Sequence, residues 1–207
     1  MIFTAREPSA AVVAQVAAIG RFASSRGWVP ATSGNFSARV DAAHVAVTRS
    51  GVDKGALSAA DIVVLALDEP IPPGMSAETP LHLARYRRDP RIGAVVHVHT
   101  VASTVLSRLH AASGSIALSG FEMHKSLAGF TTHESTVDLP IVANAQDTLA
   151  LAALIEARLG PTPAVPAYLL AGHGLYTWGA TMDDARRHLE GLEFLLACSL
   201  EERRLTR

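Results

Sequence analysis

Apolar residues near the beginning of the chain recur with helical spacing. Val12, Val16, Ile19 and Ala23 are separated by three or four residues, so they form one apolar stripe on a helix that ends near Gly27. Short apolar runs bounded by turn residues then recur along the chain, and each is typical of a β-strand. These runs are NFSARV, HVAVT, DIVVLAL, AVVHVHT, a segment near Ile116, LPIVA, AYLLAGHG and LYTWG.

Capping signals predict helices between these strands. A threonine followed by a proline, Thr79-Pro80, is typical of a helix start, and this helix is expected to extend to about Arg88. The other expected helices follow Thr100, open at Asn144 with Asp147 three residues later, and extend from Asp183 to Arg203. Short strands interleaved with helices predict an α/β layered domain.

Composition and charge limit the possible function classes. With 207 residues, 49% of them hydrophobic, the chain can bury a substantial core, and residues 1–207 are expected to form a single domain. Its 18 basic and 19 acidic residues give a net charge of -1, which offers no electrostatic basis for binding nucleic acid or an anionic membrane. One cysteine, Cys198, excludes an internal disulfide and is typical of a reducing compartment, so a cytoplasmic location is expected. No apolar stretch is long enough to span a bilayer.

Two histidines interrupt the apolar run AVVHVHT. Side chains on a strand alternate between its faces, so His97 and His99 would lie on one face, and Val96, Val98 and Thr100 on the other. Two neutral imidazoles side by side can chelate one cation, whereas without a metal each would need its own hydrogen-bond partner. The pair therefore favours a metal site, and partly exposed histidines at a strand end are the alternative.

A third histidine lies in LLAGHGLYTWG, where an apolar strand leads into a Gly-His-Gly turn. The two glycines allow the backbone to approach a site closely. Beside a chelating pair at a strand end, His173 becomes the natural third ligand, although a turn histidine without a metal is the alternative. Three histidines leave one position of a tetrahedral zinc open, as in catalytic zinc sites.

The segments that hold these histidines resemble the class II aldolase superfamily. The matching segments are TSGNFSAR, VTRSGVDKG, MSAETPLH, VVHVHT, GFEMHKSLAGFTTH, ANAQDT and AGHGLYTWG, which together extend over nearly the whole chain. HVHT and GHG are typical of the superfamily, whereas GFEMHKSLAGFTTH and GHGLYTWG indicate a branch of dehydratases that act on a small sugar phosphate. The resemblance implies a class II aldolase-like fold, in which a central, mainly antiparallel sheet lies between helical layers (three-layer α/β/α). It also implies one Zn²⁺ per subunit on His97, His99 and His173, and a homotetramer with active sites near subunit contacts.

Glu78 follows the turn PPGMSA and directly precedes the helix start at Thr79-Pro80. A carboxylate at this position can simply complement the positive end of the helix, which is worth a few tenths to about 1 kcal/mol. In the superfamily, the glutamate of the SAE segment lies beside the zinc and moves protons. The resemblance therefore assigns Glu78 the role of general acid and base.

Turns rich in small polar residues are the expected phosphate site, because their amides and hydroxyls can surround an anion. By resemblance to the aldolases, the expected residues are Ser33, Gly34, Asn35, Ser50, Gly51 and Ser76. The aldolase pattern has a second serine before the glutamate, and Ala77 stands at that position here, so only its backbone can donate. Ordinary turns use the same residue types, and plain turns are the alternative.

Three further residues could lie near the site. Lys54 could add positive charge, although a surface position is the alternative. Lys125 and His133 lie in the dehydratase-like segment, and each could lie near the substrate or have a structural role. Surface or packing roles are predicted for four other histidines from the elements that contain them, namely His44, His82, His110 and His188.

Three functions remain open from the sequence. Dehydration of a sugar phosphate is favoured by the two more specific segments. An aldolase or epimerase acting on fuculose-, rhamnulose- or ribulose-type phosphates would use the same metal, and a non-catalytic, adducin-like interaction domain would use only the fold. The presence of all three histidines together with Glu78 argues against the interaction domain.

Overall fold

Five α-helices and eight β-strands organise residues 8–206, the part of the chain that this computed structural model describes. The helices are α1 (Ala10–Ser25), α2 (Thr79–Arg88), α3 (Val101–Leu109), α4 (Thr148–Leu159) and α5 (Met182–Leu205). The strands are β1 (Asn35–Arg39), β2 (His44–Thr48), β3 (Ile62–Ala66), β4 (Ala94–Val98), β5 (Ser115–Ser119), β6 (Thr136–Val142), β7 (Ala167–Leu170) and β8 (Gly174–Gly179). The expected single domain also included residues 1–7 and 207, which lie outside the described residues.

The eight strands form one sheet in the order β3-β2-β1-β4-β8-β7-β6-β5. Every pair of neighbours is antiparallel except β6 and β7. The prediction of a mainly antiparallel sheet is therefore confirmed. β4 lies in the interior of the sheet between β1 and β8, so residues at its carboxyl end have a strand on each side.

Alternate residues along the strands face two separate cores. Val96 belongs to the core that includes α1, α3 and α5, whereas its neighbour Val95 belongs to the core that includes α2 and α4. The sheet consequently lies between two helical layers, as the resemblance implied.

Helix starts agree with capping chemistry, with one correction. α2 begins at Thr79, has Pro80 in its first turn and ends at Arg88, as expected. α4 begins later than expected, because Asp147 is its N-cap residue and accepts a hydrogen bond from the Ala150 amide at 3.0 Å. The expected start at Asn144 is wrong, since the capping oxygen comes from Asp147.

The terminal helix α5 has 24 residues, with acidic residues in its first turn and basic residues in its last. This charge arrangement complements the helix dipole. Among the helices within residues 8–206, none combines the length and the apolar character needed to cross a membrane.

Candidate functional site

The three candidate histidine ligands come from strand β4, the residue just beyond its end, and the turn between β7 and β8. His97 lies near the end of β4, in register with Tyr176 of β8. His99 lies just beyond the end of β4, where its amide donates to the carbonyl oxygen of Trp28 at 2.9 Å. His173 occupies the turn that leads into β8. The pairing of β4 with β8 therefore brings the three histidines together.

Three imidazole nitrogens and one carboxylate face a common point. Nε2 of His99 lies 2.8 Å from Nε2 of His97 and 3.1 Å from Nε2 of His173. Oε1 of Glu78 lies 2.7 Å from Nε2 of His173, and its Oε2 lies 3.5 Å from Nε2 of His97. One potential ligand atom from each of the four residues lies within 4.8 Å of all the others.

Hydrogen bonds and ring stacking hold the imidazole of His97 and the turn that carries His173. Nδ1 of His97 lies 3.0 Å from the carbonyl oxygen of Leu175, which can only accept, so Nδ1 donates and the Nε2 lone pair is free to bind a cation. The ring of His97 also stacks on Tyr176, with 3.9 Å between centroids. The turn at His173 is held by the Thr104 hydroxyl, which donates to the His173 carbonyl oxygen at 2.9 Å.

Glycines allow the backbone to approach this cluster. A Cβ on Gly174 would lie 2.1 Å from the carbonyl oxygen of Val98, so the pairing of β4 with β8 beside the histidines excludes any side chain there. Gly34 has a φ of +74°, and a Cβ at that position would lie 2.8 Å from the carbonyl oxygen of His97. The GHG and TSGN segments therefore need their glycines for steric reasons.

The chemistry of the donor set fits a divalent metal ion. Burial is the main cause that lowers the pKa of His99 to about 3, so this imidazole is neutral. Lone pairs on facing Nε2 atoms repel one another unless a cation or a proton lies between them. The nitrogen separations of 2.8 and 3.1 Å approach the edge of ~3.3 Å expected for a tetrahedron with Zn–N bonds of about 2.0–2.1 Å. The cluster could therefore hold a metal.

Glu78 occupies the N-cap position of α2, yet its side chain makes no capping hydrogen bond. One carboxylate oxygen contacts His173, and the other accepts a hydrogen bond from Nδ2 of Asn35 at 2.5 Å. The Glu78 amide donates to Oγ of Ser76 at 3.2 Å, which helps to fix the loop before α2. These contacts favour a role in the cluster over the alternative in which Glu78 only complements the helix.

The Glu78 carboxyl is shielded and held ionised. Burial raises its pKa, but the neighbouring His97 and His173 outweigh burial, so the pKa lies well below its usual range. The side chain is 17% exposed, which leaves it reachable from one side.

A cavity of about 120 Å³ opens beside Glu78 and His99. The structure places all the residues expected at the phosphate site along this cavity, namely Ser33, Gly34, Asn35, Ser50, Gly51 and Ser76. Thr32, Arg49 and Lys54 also line it. The cavity therefore combines small polar turns and two cationic side chains with the edge of the histidine cluster.

Lys54 is buried, with 2% of its surface exposed, so the alternative of a surface lysine is wrong. Its Nζ donates to the carbonyl oxygens of Thr32 and Val52 at 2.9 and 2.8 Å. Burial lowers its pKa and outweighs the opposing charges of Asp53 and Glu78. These bonds tie the TSGN turn to the cavity wall.

Lys125 and His133 lie together on the surface and share a partner. The Lys125 ammonium pairs with the Glu122 carboxylate, and Nδ1 of His133 lies 3.4 Å from the same carboxylate. Within residues 8–206, neither residue joins the histidine cluster or lines the cavity beside Glu78. The described contacts therefore do not place them at the candidate site.

Sequence reasoning missed three residues beside the site. Arg49 lines the cavity, and its place in the RSG turn was the available signal. His82 is fully buried and contacts Asn35, and it follows Glu78 by four residues, a spacing that places both on one side of a helix. The stacking of Tyr176 on His97 depends on the register between β4 and β8, for which the sequence offers no signal.

Comparison with known proteins agrees with this architecture. Residues 14–200 match the family described as Class II Aldolase and Adducin N-terminal domain. The chain belongs to this Class II aldolase and adducin N-terminal domain family.

Named relatives refine the comparison. The chain is 50% identical to a methylthioribulose-1-phosphate dehydratase from Parvibaculum lavamentivorans, over 90% of this chain and 92% of that protein. It is also 50% identical to a protein of the same name from a Bradyrhizobium species, over 97% and 98% of the two chains. The dehydratase branch indicated by GFEMHKSLAGFTTH and GHGLYTWG is therefore confirmed.

Solved structures show the same fold. The L-fuculose-1-phosphate aldolase from Thermus thermophilus superposes with a TM-score of 0.78 at 27% sequence identity, covering 95% of this chain and 97% of that one. Another L-fuculose 1-phosphate aldolase superposes with a TM-score of 0.78 at 23% identity, covering 97% and 90% of the two chains. The class II aldolase-like fold is confirmed.

Proposed function

We propose that this chain removes water from 5-methylthioribulose 1-phosphate and forms 5-methylthio-2,3-dioxopentyl phosphate, a step of methionine salvage. One observation carries the proposal. In a chain 50% identical to named dehydratases, Glu78 and the histidine cluster adjoin a cavity built from small polar turns.

The proposed cofactor is one zinc ion per subunit, held by Nε2 of His97, His99 and His173. When bound, zinc supplies Lewis-acid polarisation of substrate oxygens, which makes a neighbouring C–H bond more acidic. The chain orients the His97 imidazole through its bond to Leu175 and holds the backbone of the turn at His173 through Thr104.

The phosphate end of the substrate would lie in the cavity beside Glu78. Ser33, Ser50 and Ser76 bring hydroxyl groups to its wall, and Arg49 and Lys54 add positive charge. Binding the phosphate there would place the carbon chain of the sugar toward His99 and Glu78, which line the same cavity.

Glu78 would carry the proton in the reaction. Its ionised carboxylate must accept a proton before it can donate one, and the substrate proton to be removed is on C3. The carboxyl would then protonate the C4 hydroxyl, which leaves as water while a double bond forms between C3 and C4. The resulting enol tautomerises to the 2,3-diketone, so atoms and charge balance.

Cleavage of the C3–C4 bond is the second candidate reaction. It is favoured by the similarity to a fuculose-1-phosphate aldolase at 27% identity, and the same cluster would serve it. Acting on methylthioribulose 1-phosphate, an aldolase would release dihydroxyacetone phosphate and methylthioacetaldehyde instead of water.

A substrate panel separates the two reactions. Zinc-loaded protein is incubated with methylthioribulose 1-phosphate, fuculose 1-phosphate, rhamnulose 1-phosphate and ribulose phosphates, and both diketone and aldehyde are measured. The proposal requires diketone from methylthioribulose 1-phosphate and little aldehyde from any substrate. Preferential release of aldehyde would replace the dehydratase with an aldolase.

We also propose a single domain over residues 1–207, a cytoplasmic location and assembly as a homotetramer. An exposed apolar stripe supports assembly, because Val101, Val105 and Leu109 lie four residues apart on α3 and are 68%, 36% and 49% exposed. Phe194 of α5 is 51% exposed. Exposed apolar residues that recur along one helix face are typical of subunit contacts.

A further inference from the structure

A chain of buried polar side chains extends from Glu78 into the core between β1 and α2. Nδ2 of Asn35 donates to Oε2 of Glu78 at 2.5 Å, and Oδ1 of the same amide accepts from Nε2 of His82. Nδ1 of His82 lies 2.7 Å from Oγ of Ser37, and this hydroxyl lies 3.0 Å from the hydroxyl of Tyr86. The four residues behind Glu78 are each at most 2% exposed.

Secondary structure places these side chains in two matched pairs. Asn35 and Ser37 are two residues apart on β1, so they point to the same face of the sheet. His82 and Tyr86 are four residues apart on α2, so they lie on one face of the helix. Packing of that helix face on that strand face forms the chain of hydrogen bonds.

Only one arrangement of protons satisfies every polar atom in this series of hydrogen-bonded side chains. Burial is the main cause that lowers the pKa of His82 to about 3, so its ring is neutral and carries one proton. Oδ1 of Asn35 can only accept, so that proton must be on Nε2 of His82, and Nδ1 must accept from Ser37. The Tyr86 hydroxyl then donates to Ser37. The longer contact from Ser37 to the Val95 carbonyl oxygen, 3.4 Å, is the weaker option for the serine proton.

This arrangement selects one orientation of the Asn35 amide. Rotating the amide by half a turn would place its oxygen against the Glu78 carboxylate and its NH₂ group against Nε2–H of His82. Both contacts would then be repulsive, whereas the observed orientation forms two hydrogen bonds. The Glu78 carboxylate and the proton on Nε2 of His82 therefore both stabilise the orientation in which Asn35 presents a donor to Glu78.

We propose that His82 is a positioning residue, which through Asn35 holds the Glu78 carboxylate in place beside the histidine cluster. Among the described residues, His82 is neither a member of the histidine cluster nor part of the cavity wall, and it reaches Glu78 only through Asn35. The proposal rests on the proposed function only for the proton-carrying role of Glu78, since the hydrogen-bond chain exists independently of any reaction.

Variants of His82 test the proposal through kinetics. His82→Leu removes both hydrogen bonds, and kcat is expected to fall about 10- to 100-fold with KM and zinc content changed much less, as for other residues that orient a reactive group. His82→Gln can place an amide NH near the position of Nε2, so it should recover most of the lost kcat. Equal kcat losses in folded Leu and Gln variants would overturn the role.

His188 provides a matched control. It is also a buried histidine, 2% exposed, and its ring nitrogens contact the Trp178 carbonyl oxygen at 2.7 Å and the Ala128 amide at 3.2 Å. His188→Leu should lower the unfolding temperature about as much as His82→Leu while keeping kcat within about threefold of wild type. If His82→Leu lowers kcat no more than His188→Leu, His82 is a packing residue and the proposal fails.

A second measurement needs neither turnover nor a stable Leu variant. In zinc-loaded protein labelled with ¹⁵N-histidine, the signal lost in His82→Gln identifies His82, and its nitrogen shifts should show a neutral ring with the proton on Nε2. A ring protonated on Nδ1, or on both nitrogens, would overturn the proposal. Wild-type protein that shows the expected tautomer but does not dehydrate methylthioribulose 1-phosphate would refute the proposed function alone.

Discussion

Replacing Glu78 with glutamine tests whether this side chain moves the proton or only organises the cluster. Glutamine keeps the length and volume of the side chain, and its carbonyl oxygen can still accept from Nδ2 of Asn35, now at 2.5 Å. Its NH₂ group would take the position of Oε1, which lies 2.7 Å from Nε2 of His173. The substitution therefore removes charge and proton exchange with little change in shape.

The expected loss follows from these contacts. General acid–base catalysis contributes about 10²–10⁴-fold, which corresponds to roughly 3–5 kcal/mol of transition-state stabilisation, so kcat should fall by that factor. Complementing the start of α2 would be worth at most about 1 kcal/mol and would appear as stability rather than turnover. Because no capping hydrogen bond is lost, the unfolding temperature should change little.

The assay measures kcat, KM and zinc content of Glu78→Gln with methylthioribulose 1-phosphate, beside Glu69→Gln as a control for loss of an exposed carboxylate. Zinc should remain near one ion per subunit in both variants. A zinc-replete Glu78→Gln with kcat within about threefold of wild type would refute the proton-carrying role. Loss of zinc in parallel with activity would also contradict it, because Glu78 would then act as a metal ligand.

Three further predictions address the metal, the core and the assembly. His97→Ala and His173→Ala should each lose most of the bound zinc in elemental analysis, and full zinc content in either would contradict the proposed ligand set. Burial raises the pKa of Glu193 from 4.5 to about 7, so the folded chain keeps a proton that the unfolded chain releases, and wild type loses stability as the pH rises between these values. The free energy of unfolding of Glu193→Gln relative to wild type, measured with urea, should therefore increase by ~2 kcal/mol from about pH 5 to about pH 8. A difference between the two proteins that does not change with pH would refute the ionisation of Glu193. Light scattering should give the mass of four 21.8-kDa chains, about 87 kDa, and an active monomer would exclude the tetramer.

Local sequence signals predicted the elements of this fold better than their boundaries. Alternation and capping located α2 and every strand of the sheet, because these signals depend on residues close in sequence. The start of α4 was misplaced because Asn144 and Asp147 are both acceptable capping residues, and only the path of the chain decides between them. The mainly antiparallel order followed from the family resemblance, since strand order depends on contacts between distant residues.

In the candidate site, too, local sequence patterns predicted some features, and the others depend on contacts between distant residues. Spacing alone placed His97 and His99 on one side of the chain, although His99 proves to lie just beyond β4 rather than within it. The burial of Lys54 and His82 was not predictable, because it depends on partners elsewhere in the sequence. The hydrogen-bond partners of Lys54 are 2 and 22 residues away, and those of His82 are 45 and 47 residues away. For His82 the partners are on β1, so its role depends on how α2 packs on the sheet. Residues that act through a partner are therefore the ones that sequence patterns miss, and the contrast between His82→Gln and His82→Leu measures how much such a residue contributes to Glu78.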